Sequence, residues 1–343
     1  RRSRPPTRSQ LQPPALHHPD RQWPMAARRL FDAYLFVDWS ARGAPSPARP
    51  CADAIWIGEL AADADAPTET YCRTRAIAAE HLLARLRAHV AAGRRVLAGF
   101  DFPFGYPAGC ADALDLRGPG YPPQVGLPWL RAWLTLAAMI RDGARNDNNR
   151  FAVAARLNAR ADNVAPGPFW GAPRAAVAAT LAPTSPGFPY ALGDGTALAR
   201  LRRCERCRRG VQETWKLLGV GSVGSQALLG IPRVWRLRSH PDLRVVSRVW
   251  PFETGFTGAP APPTGPRIVH AEVWPGTLRK EDVAGEQART GAIKDQAQVR
   301  LLCRWAAERD ASGDLGRSFD RPPDLTDEGA RAAIEEEGWI LGG

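Results

Sequence analysis

The sequence predicts an α/β fold: a mixed five-stranded sheet with flanking helices and a large, mainly helical insertion between its fourth and fifth strands. Three observations predict it. Short apolar or β-prone runs, the pattern of strands buried on both faces, recur at Tyr34–Val37, Arg95–Phe100 and Ile268–Ala271, and each closes on an acid: Asp38, Asp101 and Glu272. One segment of helical period, Ile77–Ala92, separates the first run from the second. Between the second and the third the strand pattern lapses for more than half the remaining chain.

The elements follow in order. After the first run a Pro/Gly/Ser loop spans 41–50, then Ala54–Leu60 reads as a second strand and Thr70–Thr74 as a short third. Their spacing suits an antiparallel meander. In the helix, Ala79, Leu82, Leu83, Leu86 and Val90 share a face, and Gly93 stops the pattern. The return strand ends at Asp101, so residues 25–101 form the first part of the core. Residues 102–266 form the insertion, with helical stretches at 129–142 and 151–158 and Pro/Gly-rich connections over 165–195. Residues 267–343 supply the last core strand, a helix over 291–306 and a final helix over 327–337. On the first of these helices Asp295, Val299 and Leu302 fall on one face.

A chain of 343 residues with 44% hydrophobic content can bury a sizeable core. Its net charge of +11 comes from 43 arginines and only three lysines, Lys216, Lys280 and Lys294. A GC-rich coding bias accounts for part of that charge, so basicity alone does not establish an anionic partner. The first 24 residues carry five arginines against one acid and show no hydrophobic periodicity, which predicts a disordered basic leader. Met25, just ahead of the first strand, is the expected start of the functional protein. No apolar segment follows those arginines, and 126–140 is too short for a membrane span and interrupted by Arg131, so a cytoplasmic protein is expected. The six cysteines are scattered and read as free thiols.

Acids at the ends of neighbouring strands repel one another unless a cation joins them. The segments Val37-Asp38-Trp39-Ser40-Ala41, Gly99-Phe100-Asp101-Phe102-Pro103, Ala271-Glu272-Val273-Trp274-Pro275 and Lys294-Asp295-Gln296, in the order β-β-β-α-β, insertion, β, α, resemble the RNase H-like superfamily. More closely, they resemble an uncharacterised branch of predicted nucleases within it, over roughly residues 31–307. In such nucleases carboxylates hold two divalent cations about 4 Å apart, one activating water and the other steadying the leaving oxygen. The resemblance implies that Asp38 bridges the metals, that Asp101 and Glu272 each complete a site, that Asp295 holds the second ion and that Lys294 meets the phosphate. The implied cofactor is Mg2+ or Mn2+, and the implied partner is nucleic acid or a small phosphodiester. Two departures weigh against long duplexes: the first helix offers only Glu80 as an acid, and the insertion is large enough to cover the cleft. Two other readings stay open. One is a non-catalytic module that binds nucleic acid or a nucleotide; the other is an enzyme of molybdopterin or cobalamin synthesis, a label carried by some similar proteins.

Other signals need separate weighing. Gly219–Gly224 matches GxGxxG, but no βαβ unit follows, so a loop beside the cleft is expected rather than a dinucleotide site. Cys204 and Cys207 are half a zinc motif with no second half. The Arg200–Arg209 run reads as a solvated helix face or a phosphate contact. His270 alternates onto the side of Glu272. Trp39, Phe102, Phe104 and Trp274 flank the acids and suit either base stacking or core packing.

Overall fold

A computed structural model describes residues 29–118, 126–162 and 165–343. The basic leader and Met25 lie outside the described residues. Strand β1 (Ala33–Asp38) pairs antiparallel with β2 (Ile55–Ala61), and β2 pairs antiparallel with β3 (Thr68–Cys72). Helix α1 (Arg75–Ala91) starts on the Thr74 hydroxyl, which accepts from the Ile77 N–H, and gives way to Gly93 at φ 71°. It delivers the chain to β4 (Arg95–Phe100), which runs parallel to β1.

The middle of the chain is helical as expected: α2 (Cys110–Ala113), α3 (Pro128–Met139), α4 (Arg150–Asn158), α5 (Arg203–Arg206) and α6 (Gly224–Ser239), with a small hairpin of β5 (Tyr190–Ala191) and β6 (Ala197–Leu198). It also contributes a strand to the main sheet. β7 (Ser247–Val249) pairs parallel with β8 (Arg267–Glu272), which itself runs parallel to β4. The sheet therefore has six strands among the described residues, in the order β3-β2-β1-β4-β8-β7, and not the expected five. α7 (Lys280–Thr290), α8 (Lys294–Ala311) and α9 (Asp327–Ala332) follow, and a π-helical turn, Ala333–Glu337, extends the last of them.

The alternation of strand residues divides the core into two layers. Leu35, Val37, Ala98, Phe100 and Ile268 face α1, α3, α4 and α6, where Leu82, Trp133, Leu157 and Ile231 complete one cluster. Tyr34, Phe36, Leu97, Val269 and Ala271 face α8, against Leu302, Cys303 and Ala306. Gly58 lets α8 approach the sheet: a Cβ there would stand 2.8 Å from the Val299 carbonyl oxygen. All six cysteines are free, and among the described residues no helix is long and apolar enough to cross a membrane.

Candidate active site

Parallel strands bring their carboxyl ends to one edge of a sheet, and there ligands tend to bind. β1 and β4 are parallel neighbours with Val37 opposite Phe100, so Asp38 and Asp101 leave them side by side. Both continue the alternation of Phe36 and Leu97, the residues that face α8. α8 in turn carries Asp295 in its first turn. The three carboxylates line one cleft of about 1040 Å³ together with Trp39, Asp53 and Lys294.

Each acid is held differently. The Trp39 N–H donates to Asp101 Oδ1 at 2.7 Å, and the Asp53 N–H donates to Asp295 Oδ2 at 2.7 Å. The Asp38 carboxylate accepts no hydrogen bond among the described residues, and none of the three acids forms an ion pair there. Burial, then the charges of Asp101, Asp295 and Asp53, raise the Asp38 carboxyl well above the usual carboxylate range, with Lys294 the opposing influence. Burial and the Asp295 charge push Asp101 up to about 8 despite the Trp39 N–H, and burial also raises Asp295. The cleft therefore gathers carboxylates that raise one another's pKa and are held without an ion pair among the described residues.

Elsewhere the chain treats most of its inward acids otherwise. Glu205, Glu213, Glu286 and Glu337 each pair with arginine. Glu272 does too, and this corrects its expected role as a metal ligand. It lies opposite Phe100, one residue short of Asp101, so it points to the other face of the sheet. There Arg202 grips it at 2.5 and 2.8 Å, and the Phe104 N–H donates to it at 2.9 Å. His270 shares that face; its ring nitrogen meets Ser247 Oγ at 2.7 Å, and burial lowers its pKa to about 3, so it is a neutral core residue.

Among the described residues no three His, Cys, Asp or Glu side chains stand in a preassembled metal cage. A hard cation that keeps several waters and binds through one or two carboxylates plus a phosphate does not need one. The donor chemistry of Asp38, Asp101 and Asp295 fits such an ion, and Lys294 stands beside them.

The glycine-rich loop stands beside the cleft, as its sequence predicts. Gly219–Val223 lines the cleft and leads directly into α6, the 16-residue helix that begins at Gly224. No strand precedes the glycines; Lys216 makes only an isolated bridge with Trp170, which argues against a dinucleotide fold. Arg150, from α4, lines the same cavity. Trp39 and Trp274 line it as well, whereas Phe102 and Phe104 are buried in the core. The Arg200–Arg209 run lies outside the cleft and is solvated in part: Arg206 and Arg209 are exposed, as is Arg200, which pairs with Glu213, whereas Arg202 is buried on Glu205 and Glu272 and Arg203 pairs with Glu337. Cys204 is buried and Cys207 exposed.

No protein-family model, curated protein or solved structure matches the chain.

Proposed function

We propose that the protein is a divalent-metal-dependent phosphodiesterase or nuclease of RNase H-like type. The observation that carries this reading is the meeting of Asp38, Asp101 and Asp295 in one cleft with no arginine between them, in a chain whose other inward acids are so often neutralised by one. Carboxylates that raise one another's pKa form a site for a cation, a proton or both. The strand order β3-β2-β1-β4-β8, with the third acid on α8, the second α-helix after β8, supports the RNase H-like resemblance.

Asp38 and Asp101 would hold the ion from the strand ends and Asp295 from α8. Bound magnesium or manganese would supply a Lewis acid and lower the pKa of a bound water. The chain's own groups do the rest. The Trp39 and Asp53 N–H groups fix one oxygen each of Asp101 and Asp295, leaving their other oxygens for the ligand. Lys294, exposed at the start of α8, would meet the phosphate as a mobile point charge. Trp274 is half-buried on the cleft wall and offers a surface for a base. A cleft of this size bounded by a loop wall suits a short or single-stranded substrate or a small phosphodiester.

The basic side chains Arg150, Lys280 and Lys294 that line the same cleft favour one other reading, a module that binds nucleic acid without cleaving it. Labelled single- and double-stranded DNA and RNA incubated with magnesium or manganese separate the two. Cleavage by the wild-type protein that is lost in Asp38→Asn and Asp101→Asn supports the enzyme. Binding that persists in all three proteins without turnover refutes it.

A further inference from the structure

The cleft has a second pole. Arg150 is fixed by neutral partners: its Nε donates to Ser225 Oγ at 2.9 Å, its Nη1 to Asn148 Oδ1 at 2.8 Å, and its guanidinium lies 4.3 Å from the Phe151 ring centre. Its Nη2 has no hydrogen-bond partner among the described residues and is not one of their buried unpartnered atoms, so it stays open. Three other inward arginines end on carboxylates: Arg75 on Asp142, Arg202 on Glu205 and Glu272, Arg300 on Glu69 and Glu286. Asp142 is the acid nearest in influence to Arg150, and Arg75 and Arg233 already occupy it. Burial and the neighbouring Arg75 charge lower the Arg150 pKa to about 10, the mark of a cation held without compensation.

The surroundings of that guanidinium are shaped for close approach. Ser225, its partner, lies in the first turn of α6, directly after the Gly219–Val223 wall. Gly219 and Gly221 adopt φ of 97° and 72°, and Lys216 Nζ braces the loop by donating to the Val220 carbonyl at 2.7 Å. Lys280 and Lys294 line the same cavity and form no ion pair among the described residues. All three lysines of this arginine-rich chain thus serve one cleft.

We propose that Arg150, presented by Ser225 and Asn148 beside the glycine wall, is the anchor of an anion subsite that takes a second phosphate of the substrate, apart from the one attacked at the acids. The assignment rests on the phosphodiesterase reading for the identity of its ligand. It explains why the guanidinium is rigid, forked and unpaired, since a planar fork recognises phosphate oxygens in a way that a lysine does not.

Titration of a 5′-phosphorylated deoxyadenosine dinucleotide, which carries two phosphates, into metal-free protein in EDTA tests the subsite without involving cleavage. The wild-type protein binds it; Arg150→Gln weakens binding at least tenfold; Arg150→Lys weakens it less; Asp38→Asn, which removes a repelling charge, binds no more weakly than wild type. Phenylglyoxal labelling of the wild-type protein, read by mass spectrometry, gives the same answer without a variant: the dinucleotide protects Arg150. Equal affinity in Arg150→Gln, or undiminished labelling of Arg150 at saturation, overturns the proposal. So does inorganic phosphate binding as tightly as the dinucleotide, which would mark a site for free anion. Failure here leaves the acid site untouched, whereas loss of the hydrolase reading would appear as absent magnesium-dependent cleavage with EDTA binding retained.

Discussion

Asp101 accepts the backbone N–H of Trp39, the residue next to Asp38, at 2.7 Å. The end of β4 is thereby tied to the chain leaving β1, and two carboxylates that repel each other are held at adjacent strand ends. Such a contact keeps Asp101 in place while its second oxygen remains available.

Replacing either carboxylate by its amide keeps the shape and removes the charge. Asp38→Asn and Asp101→Asn are expected to lower magnesium-dependent kcat/KM by about a hundredfold or more, the lower end of what a positioned catalytic group contributes. Both should also stabilise the metal-free protein at neutral pH, because burial obliges the acid to take up a proton on folding and the amide is spared that cost. Denaturant midpoints in EDTA measure this. Variants that lose activity and stability together would point to a structural role instead.

The pH dependence of the metal-free protein follows from the same groups. Asp101, at about 8, and Glu336, raised by burial to about 7, keep protons in the folded state that the unfolded chain releases near pH 4. The folded state then binds more protons than the unfolded one, so stability falls as pH rises from about 4 to about 8. Glu59 has the opposite sign: against the pull of burial, His89 and Arg85 hold it at about 2, so its contribution is present above its normal pKa and disappears as pH falls toward 2. Urea midpoints in EDTA should therefore decline between pH 5.5 and 8.5, and the decline should be shallower in Asp101→Asn and in the wild-type protein with magnesium. Three parallel curves would contradict the assignment.

The strand ends that carry Asp38 and Asp101 were legible because a strand buried on both faces is an unbroken apolar run, and a charge that ends it is conspicuous. Facing direction was not legible. Glu272 ends a run of the same form, but its face depends on a register with β4 that only pairing fixes, and one residue of offset sends it to the opposite layer. β7 was missed because three residues between arginine- and proline-rich turns carry no periodicity. α6 was missed because Pro232 lies inside it and glycines open and interrupt it. Gly230 is there because the Phe102 ring occupies the place of a Cβ, a contact made by residues far apart in the chain.

Arg202 is fully buried and binds Glu205, Glu272 and the Glu337 carbonyl, joining the middle of the chain to its C-terminal turn. Removing one member of such a network strands the others without water. Arg202→Met is expected to cost about 3–5 kcal/mol of stability, measured by urea denaturation. Glu272→Gln should also destabilise, yet leave magnesium affinity of the folded protein within about twofold, because its carboxylate lies on the face away from Asp38. A calorimetric titration in which Glu272→Gln loses magnesium binding would restore it to the metal site.

The position of Asp295 depends on how closely α8 lies on β2. Gly58 faces Val299, one turn beyond Asp295, and a Cβ at Gly58 would come within 2.8 Å of the Val299 carbonyl oxygen, 2.9 Å of its carbon and 3.1 Å of Cys303 Sγ. Two of these are backbone atoms, which cannot swing aside as a side-chain end can. Gly58→Ala must therefore lift the helix by several tenths of an ångström or bend the strand, at a cost of about 1–3 kcal/mol. The lift carries Asp295 away from Asp38 and Asp101, so magnesium affinity should fall along with stability. Gly285→Ala is the control: it lies in α7 with nothing within 4 Å of the added Cβ, and alanine's better helix propensity should raise stability by about 0.4–1 kcal/mol without affecting magnesium. If Gly58→Ala lost stability but bound magnesium as tightly as the control, Asp295 would not belong to the metal site, and the ion would be held by the strand-end carboxylates alone.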